Sequence, residues 1–225
     1  MEYKYELHSH AKNTSICSMI DAEKLVQKYK KAGYSGIVIT DHYSPMTFRP
    51  HELFNKEKLT RRFIRGYNKA KEFETEDFTV LFGIELRFYG TVNDYLIYGA
   101  EPEMLDELPG LLSVYVRKAS ALFRERGCLF IHAHPYRRHI GHVDPSLLDG
   151  VEVYNGKASD EINQKAKDYA DKIGFSVVTS GSDCHKDSQV GLGGIITNEP
   201  IRSNKDLVRI LKSGNYKLIE NSSAD

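Results

Sequence analysis

Histidines and carboxylates recur in this chain at spacings that suit metal binding. His8 and His10 are separated by a single residue, and on an extended backbone side chains at that spacing point to the same side. Asp183 and His185 repeat the spacing with one carboxylate and one imidazole. Either pair alone is a weak signal, because most single histidines are ordinary surface or core residues. Mixed imidazole and carboxylate sets suit Zn, Mn, Fe or Ni better than Ca.

Side chains of the same types occur at four other places, each at the end of a run that is typical of a short strand. They are Asp41 with His42, Glu85, His132 with His134, and Asn155. For any one of these places the simpler interpretation is a residue that satisfies hydrogen bonds in a turn or in the core. That interpretation does not explain why all of them share one kind of position. A carboxylate such as Glu85 can also bridge two cations.

The elements that would position these residues alternate between strands and helices. Short apolar runs bounded by turn residues predict the strands, and apolar residues at helical spacing predict the helices between them. The predicted strands span 3–8, 36–40, 78–86, 94–100, 128–131, 150–154, 175–179, 194–197 and 216–219. The predicted helices span 22–32, 51–74, 104–127, 160–173 and 204–213.

This alternation predicts an α/β fold built from βα units around a parallel sheet. A barrel accounts for about seven such units better than an open sheet does. The catalytic residues of such barrels lie at the C-terminal ends of the strands. The 225 residues contain no Pro/Gly/Ser-rich linker. We therefore expect one domain over 1–225, in which 202–219 forms a helix and a strand that pack on the barrel.

Composition narrows the functional classes. The chain has 31 Lys and Arg against 31 Asp and Glu, which argues against a basic nucleic-acid-coating protein and an acidic disordered chain. Long nucleic acid is not an expected partner, since affinity for polyanions depends on many Lys and Arg contacts. No apolar run approaches the roughly 18 residues that span a bilayer, and the N-terminus lacks the apolar core of a signal peptide. We expect a cytoplasmic protein without a membrane partner.

The motifs form an ordered series along the chain. They are His8-x-His10, Thr40-Asp-His42, Gly83-Ile-Glu85, Ala133-His-Pro135, Glu152-Val-Tyr-Asn155 and Gly181-Ser-Asp-x-His185. This series resembles that of the PHP family, which is named for polymerase and histidinol phosphatase, and the resemblance runs from residue 5 to about residue 197. It implies a distorted (β/α)7 barrel and a metal-dependent phosphoesterase with two or three divalent cations, Zn, Mn or Fe, in the barrel mouth.

The resemblance also implies three metal positions that share ligands. The first would be held by His8, His10, Glu85 and Asp183, the second by Glu85 and His134, and the third by His42 and His185. Asp41 would orient a ligand imidazole. Many members of the family carry a further histidine on the strand after the glutamate, where this chain offers Asp94 as a substitute ligand or has a weaker second site. Where three-metal members carry a histidine after the first motif, Cys17 would be a soft ligand or a small packed thiol.

Catalysis in this scheme uses metal-activated water to attack phosphorus in line, while the cations neutralise the phosphate oxygens. His132 has three possible roles: ligand, general acid for the leaving group, or buried bystander. Guanidinium groups suit phosphate oxygens, and Arg137 is the first candidate, followed by Arg138. Weaker candidates are Arg49, Lys157 and Lys186. Ordinary surface roles are expected for His51, His139 and His142.

The predicted function is hydrolysis of a small phosphomonoester, such as a sugar, amino-alcohol or nucleotide phosphate. Three alternatives stay open. The first is a nuclease-like phosphoesterase for short oligonucleotides or nucleotide bisphosphates. The second is a protein-tyrosine phosphatase, and the third is a non-catalytic metal-binding module.

Overall fold

The computed structural model describes residues 1–48, 55–107, 110–141 and 143–221. Over these residues ten strands form one sheet, and seven helices pack around it. The strands are β1 (Tyr3–Ser9), β2 (Gly36–Ile39), β3 (His42–Tyr43), β4 (Thr79–Leu86), β5 (Tyr95–Tyr98), β6 (Leu129–His132), β7 (Gly150–Asn155), β8 (Val177–Gly181), β9 (Gly193–Thr197) and β10 (Tyr216–Glu220). The helices are α1 (Ala22–Lys31), α2 (Lys56–Phe63), α3 (Arg65–Lys71), α4 (Met104–Glu107), α5 (Val116–Glu125), α6 (Asp160–Ile173) and α7 (Asn204–Ser213).

The sheet curves into a nearly closed barrel. Its strand order is β10-β9-β1-β2-β4-β5-β6-β7-β8, with β3 paired beside β4. The barrel closes between β8 and β1, where Ser9, at the end of β1, bridges Cys184, just beyond β8. The distorted (β/α)7 barrel that the sequence predicted is confirmed.

The barrel is mixed, however, and not all parallel as the alternation predicted. Strand β5 runs antiparallel to both β4 and β6, and β9 runs antiparallel to β1 and β10. The segment between β4 and β5 is too short for a helical crossover, so β5 returns beside β4 in the opposite direction. This reversal places the start of β5, and not its end, at the same edge as the C-terminal ends of β4 and β6.

Two long helices of the sequence prediction are interrupted. The predicted helix 104–127 is α4, one 3₁₀ turn at Leu111–Ser113, and α5. Gly110 has a φ of 72°, in the left-handed region that ends helices, and it follows a proline in the sequence. The predicted helix 51–74 is α2 and α3, and its first residues lie outside the described part of the chain.

The predicted bounds of α6 and α7 agree with the structure because both helices carry clear end signals. The Ser159 hydroxyl accepts a hydrogen bond from the Ile162 amide at the start of α6, and Gly174 ends the helix with a φ of 78°. Ser203 and Gly214 do the same for α7. In the described ranges, none of the helices has both the length and the apolar character needed to cross a membrane.

An apolar cluster fills the barrel and joins it to α7. Leu7, Leu81 and Ile131 of the strands pack in the same cluster as Leu207 of α7. The Asn204 side-chain amide donates to the backbone carbonyl of Ala100, just after β5. Because β5 is reversed, α7 covers the end of the barrel opposite the C-terminal ends of the parallel strands. The assignment of 1–225 to one domain stays a prediction.

Candidate metal centre

Four of the expected ligands meet at the mouth of the barrel. His8 and His10, at the end of β1, are both fully buried. Their Nε2 atoms each lie 3.4 Å from an oxygen of Glu85, at the end of β4. Oδ1 of Asp183, in the loop after β8, lies 3.7 Å from Nε2 of His8 and 3.3 Å from Nε2 of His10. The structure therefore brings together the nitrogen and oxygen atoms of the first expected position.

Backbone strain accompanies this convergence. Asp183 has a φ of 48° and His134 has a φ of 30°, in the left-handed region that non-glycine residues seldom adopt. Each such residue costs on the order of 1–3 kcal/mol, and strained residues cluster at functional sites. Gly181 provides the space beside them, since a Cβ there would lie 2.3 Å from Cβ of His8.

The second expected position lies at Oε1 of Glu85, the oxygen that also faces His8. His134 Nε2 is 3.0 Å from Oε1 of Glu85 and 3.8 Å from Oδ2 of Asp94. Asp94 reaches this place because it precedes the antiparallel strand β5. Arg87 also binds Asp94 through two hydrogen bonds, one of them 2.6 Å between Nε and Oδ1. Asp94 therefore faces both the imidazole of His134 and the guanidinium of Arg87.

The third group of residues opens to solvent. His42 Nδ1 lies 2.5 Å from Oε2 of Glu85, and Nε2 of His42 lies 3.4 Å from Nε2 of His185. Cys17 is exposed, which does not agree with the packed-thiol alternative from the sequence. Burial opposes ionisation of this thiol, but the contacts with His185 and His42 outweigh it and lower the pKa of Cys17 to about 6.

The donor set fits divalent cations. Within the described residues, buried ring nitrogens without a hydrogen bond include Nε2 of His8, both nitrogens of His10 and Nδ1 of His134. Buried polar atoms usually have a partner, and each exception needs an explanation. Four sets of three potential ligand atoms, each set within 4.8 Å, are formed by these histidines with His42, His185, Glu85, Asp94 and Asp183. Imidazole and carboxylate donors at such separations are the chemistry of a metal site.

Electrostatic coupling in the cluster is strong. Burial disfavours the imidazolium of His8, but the carboxylates of Glu152, Asp183 and Glu85 outweigh it and raise the pKa of His8 well above its usual value. Burial likewise opposes ionisation of Glu85 and Asp183, yet the neighbouring histidines hold the pKa of each carboxyl well below its ordinary range. Burial and the nearby His42 lower the pKa of His10. Protons and cations would therefore compete for the same atoms.

Glu152 also belongs to the cluster, although the sequence pattern gave it no role beyond its place in a motif. Its Oε1 accepts a hydrogen bond of 2.8 Å from Nδ1 of His8. Its Oε2 accepts from the backbone amide of His134 and from the side-chain amide of Asn155, both at 3.0 Å. The signal was available, since a glutamate inside the apolar run of β7 is buried and must have partners. Asn155 also approaches Asp183, with its amide nitrogen 3.4 Å from Oδ2.

Asp41 differs from its expected role. Its Oδ1 accepts hydrogen bonds from the Ala11 amide at 2.8 Å and from the Ser15 hydroxyl at 2.7 Å. The carboxylate thus holds the loop after β1 and not a ligand imidazole. Burial raises the pKa of Asp41 to about 7, against the opposing effect of these two hydrogen bonds.

His132 lies away from the cluster. It stacks on Tyr95, with ring centroids 5.8 Å apart, and lines a second cavity of about 240 Å³ together with Tyr136 and Tyr169. Regular alternation would have put it on the same side as His134, but the left-handed backbone of His134 interrupts the extended conformation. This position favours the bystander role among the three alternatives.

A cavity of about 590 Å³ lies over the third group of residues. The described residues that line it include Arg137, Lys157 and Arg87, but not Arg138. Lys157 Nζ lies 3.2 Å from Oδ2 of Asp183. Of the other sequence candidates, Arg49, His51 and His142 lie outside the described residues.

Comparison with known families gives two matches. The family described as PHP domain matches residues 6–181, and a second family, described as PHP-associated, matches residues 160–216. No curated protein matches the chain significantly.

Several solved structures share the fold. PsfC from Pseudomonas syringae superposes with a TM-score of 0.71 at 14% identity, covering 98% of this chain and 92% of that chain. A protein from Bifidobacterium adolescentis, provisionally assigned as a metal-dependent phosphoesterase, superposes with a TM-score of 0.57 at 14% identity, covering 94% of this chain and 96% of that chain. Endonuclease Q, in a complex with a 27-mer duplex substrate, superposes with a TM-score of 0.62 at 14% identity. The match covers 96% of this chain and 58% of the Endonuclease Q chain.

This comparison corrects one expectation from composition. Neutral net charge led us to discount long nucleic acid as a partner, and that was wrong. The barrel of Endonuclease Q resembles this one, and that protein holds a duplex with an abasic lesion at its active site. Net charge is a poor guide here because the potential that a phosphate backbone meets is set locally by the groove.

Proposed function

The chain belongs to the PHP family of metal-dependent phosphoesterases, and we propose that it hydrolyses a phosphate ester held over the cluster at the barrel mouth. The observation that supports this most strongly is the convergence of His8, His10, Glu85 and Asp183. Their nitrogen and oxygen atoms are buried and lie within ligand-sharing distance of one another. Zn, Mn or Fe are the proposed metals, since mixed imidazole and carboxylate sets suit them.

In this proposal the bound cations, Glu152 and Arg137 have three different tasks. Bound cations would lower the pKa of water and stabilise negative charge on the phosphate. Glu152 holds the Nδ1 proton of His8, so that Nε2 of His8 keeps its lone pair toward Glu85 and Asp183. Arg137 is exposed at the cavity and offers a planar fork to non-bridging phosphate oxygens.

The cavity supports a small phosphomonoester as the substrate. Its volume of about 590 Å³ lies in the range of small-molecule sites. Basic side chains stand on its wall, so a phosphate can contact Arg137 while the rest of the ester fills the space above.

A second candidate is a nucleotide or the end of an oligonucleotide. Two apolar side chains of the same cavity, Ile16 and Met46, are 73% and 74% exposed. Exposed apolar groups beside a phosphate site suit packing against the face of a nucleobase. The chemistry at phosphorus would be the same for both candidates.

The test combines metal analysis with a substrate panel. Purified protein is assayed for bound metal and for hydrolysis of an aryl phosphate, phosphomonoesters and oligonucleotides, with and without chelator. We expect chelator-sensitive hydrolysis that Asp183→Asn abolishes and the control Asp187→Asn retains, because Asp187 is exposed and pairs only with Lys28 among the described residues. A steep salt dependence would identify a polymeric substrate and a shallow one a monomer. Protein that binds no supplied Zn, Mn or Fe and hydrolyses nothing would refute the proposal.

A further inference from the structure

Arg87 and Asp94 face each other across two neighbouring strands at the barrel mouth. Leu86 of β4 pairs with Tyr95 of the antiparallel strand β5. One further step in this register sets Arg87 opposite Asp94, where opposite charges attract. The Arg87 amide donates to a backbone carbonyl of β3 at 3.1 Å, which keeps the chain extended for one residue beyond β4. Arg87 therefore lies on the same side of the sheet as Glu85, two residues before it.

The carboxylate of Asp94 holds the guanidinium of Arg87 at two points. Nε of Arg87 lies 2.6 Å from Oδ1, and Nη2 donates to Oδ2. The Asp94 side chain is only 1% exposed, and a buried carboxylate needs a cation and hydrogen-bond donors to offset its desolvation. Because the pair has two parallel contacts, it fixes the plane of the guanidinium as well as its position.

The guanidinium has further donors that face away from this pair. Of its five N–H groups, Asp94 accepts from two. Among the described residues, the side chain of Arg87 makes no hydrogen bonds other than those to Asp94. The side chain is 25% exposed and lines the cavity of about 590 Å³ over the metal centre. An oriented cation with remaining donors on a cavity wall is suited to bind an anion.

The same pair argues against Asp94 as a metal ligand. Asp94, Glu85 and His134 place one atom each within 4.8 Å of the others, so distance alone permits a shared cation. The Asp94 oxygen that lies 3.8 Å from Nε2 of His134 is Oδ2, and this oxygen already accepts from Nη2 of Arg87. A divalent cation at Oδ2 would lie beside the guanidinium, and repulsion between the two charges opposes that arrangement.

We propose that Arg87 binds a non-bridging phosphate oxygen of the substrate, and that Asp94 positions Arg87 and is not a metal ligand. The inference rests on the proposed function, because it adds a substrate contact to the same site. Arg87 stands at the part of the cavity wall next to Asp94, and Lys157 stands at the part next to Asp183. The phosphate therefore meets a fixed guanidinium at one part of the wall and a flexible ammonium at the other.

Binding of inorganic phosphate tests Arg87 without requiring turnover. The purified, metal-containing protein is titrated with phosphate in a calorimeter. Arg87→Gln should raise the dissociation constant for phosphate by about 10–100-fold, because a hydrogen bond to a charged group is lost. Arg87→Lys keeps the charge but not the planar fork, so its constant should lie between those of the wild type and Arg87→Gln. The control Arg209→Gln changes an exposed arginine that pairs with Glu199, and it should bind phosphate like the wild type.

Metal content separates the two possible roles of Asp94. Asp94→Asn should retain as many metal equivalents as the wild type but bind phosphate more weakly, because a side-chain amide accepts from the guanidinium at one atom only. Adding Asp94→Asn to Arg87→Gln should weaken phosphate binding no further, since Asp94 acts through Arg87. Circular dichroism shows whether each variant is folded, and Arg87→Lys keeps the buried charge of Asp94 paired if the others are not.

Two results would overturn the inference. The first is phosphate affinity that changes in neither Arg87→Gln nor Arg87→Lys, which would leave Arg87 as a structural partner of Asp94. The second is the loss of about one metal equivalent in Asp94→Asn but not in Arg87→Gln, which would make Asp94 a ligand. In both cases the proposed function stands if the wild type binds metal and hydrolyses aryl phosphate. A wild type that does neither would refute the proposed function and this inference together.

Discussion

His8 and Glu152 form a hydrogen-bonded pair in the floor of the barrel mouth. Nδ1 of His8 lies 2.8 Å from Oε1 of Glu152, and both side chains are fully buried. The pair joins β1 to β7, which are not neighbours in the sheet. Because Nδ1 donates its hydrogen bond to Glu152, the other ring nitrogen, Nε2, is the one that faces Glu85 and Asp183.

Removing this carboxylate should weaken metal binding without removing a ligand. We expect Glu152→Gln to lower metal affinity by roughly 10–100-fold, the usual cost of losing a partner that orients a ligand histidine. Isothermal titration of stripped protein with Zn would measure it. The control is Glu161→Gln, an exposed change on α6 that should leave the affinity unchanged. Equal affinities in the two variants would contradict this role of Glu152.

Asp183 should be more costly to change than Glu152. Asp183→Asn removes an anionic oxygen that lies near His8 and His10, and turnover should fall by more than the roughly 10–100-fold expected for an orienting partner. Circular dichroism should show an intact fold, while elemental analysis shows reduced metal. Full activity in this variant would refute the role of Asp183 as a ligand.

Metal affinity should rise with pH until His185 has lost its proton. Burial opposes charging of His185, but the hydrogen bonds with Asp183 and Cys17 outweigh it and raise its pKa to about 9. A protonated nitrogen cannot bind metal, so Zn affinity should increase as pH rises toward about 9 and then level off. Zn titrations across this range would show the dependence, and an affinity that falls with rising pH would contradict it.

The stability of the metal-free protein should change in the opposite direction. A histidine whose pKa is raised by folding contributes stability that is complete below about pH 6.5, its pKa in the unfolded chain. This stability is lost as the pH rises through about 9, the pKa of His185 in the folded protein. Comparing unfolding midpoints of the stripped wild type with those of stripped His185→Asn isolates this group. The advantage of the wild type should shrink between about pH 6.5 and 9. An advantage that grows over that window would show that the sign is wrong.

Gly181→Ala should destabilise the protein and disturb the metal centre together. A Cβ at Gly181 would lie 2.3 Å from Cβ of His8 and 2.8 Å from Oε1 of Glu152. Overpacking of this kind costs about 1–3 kcal/mol in the free energy of unfolding. Gly141→Ala is the control, because the nearest atom to a Cβ there is 3.6 Å away. Chemical denaturation and Zn titration should show losses only in Gly181→Ala; unchanged Zn affinity would mean that His8 tolerates the displacement.

Arg137 and Arg138 provide a matched pair for substrate binding. Both are exposed, but only Arg137 of the two lines the cavity. Loss of a hydrogen bond to a charged group costs about 1.5–3 kcal/mol, so Arg137→Ala should lower kcat/KM by at least about 10-fold. Arg138→Ala should leave it near the wild-type value. Equal effects of the two substitutions would indicate a general charge effect and not a phosphate contact.

Local sequence patterns were sufficient to predict much of the secondary structure of this protein. Apolar runs and end signals such as Ser159 and Gly174 located most strands and helices, because they act within a few residues. The alternation of units predicted the barrel, and the barrel explains why His8, Glu85 and Asp183 meet although they are far apart in the sequence. Residue type and position at strand ends were therefore enough to predict that His8, Glu85 and Asp183 lie together, but not that His132 lies apart from them.

Tertiary structure alone decided which groups touch and which do not. Asp94 approaches His134 because β5 is antiparallel, a consequence of the short connection after β4. His132 and His134 diverge because the extended backbone is interrupted at His134. The partner of Asp41 and the exposure of Cys17 depend on how the loop after β1 packs. These outcomes come from contacts between distant segments, and a sequence pattern that repeats every two or four residues does not encode them.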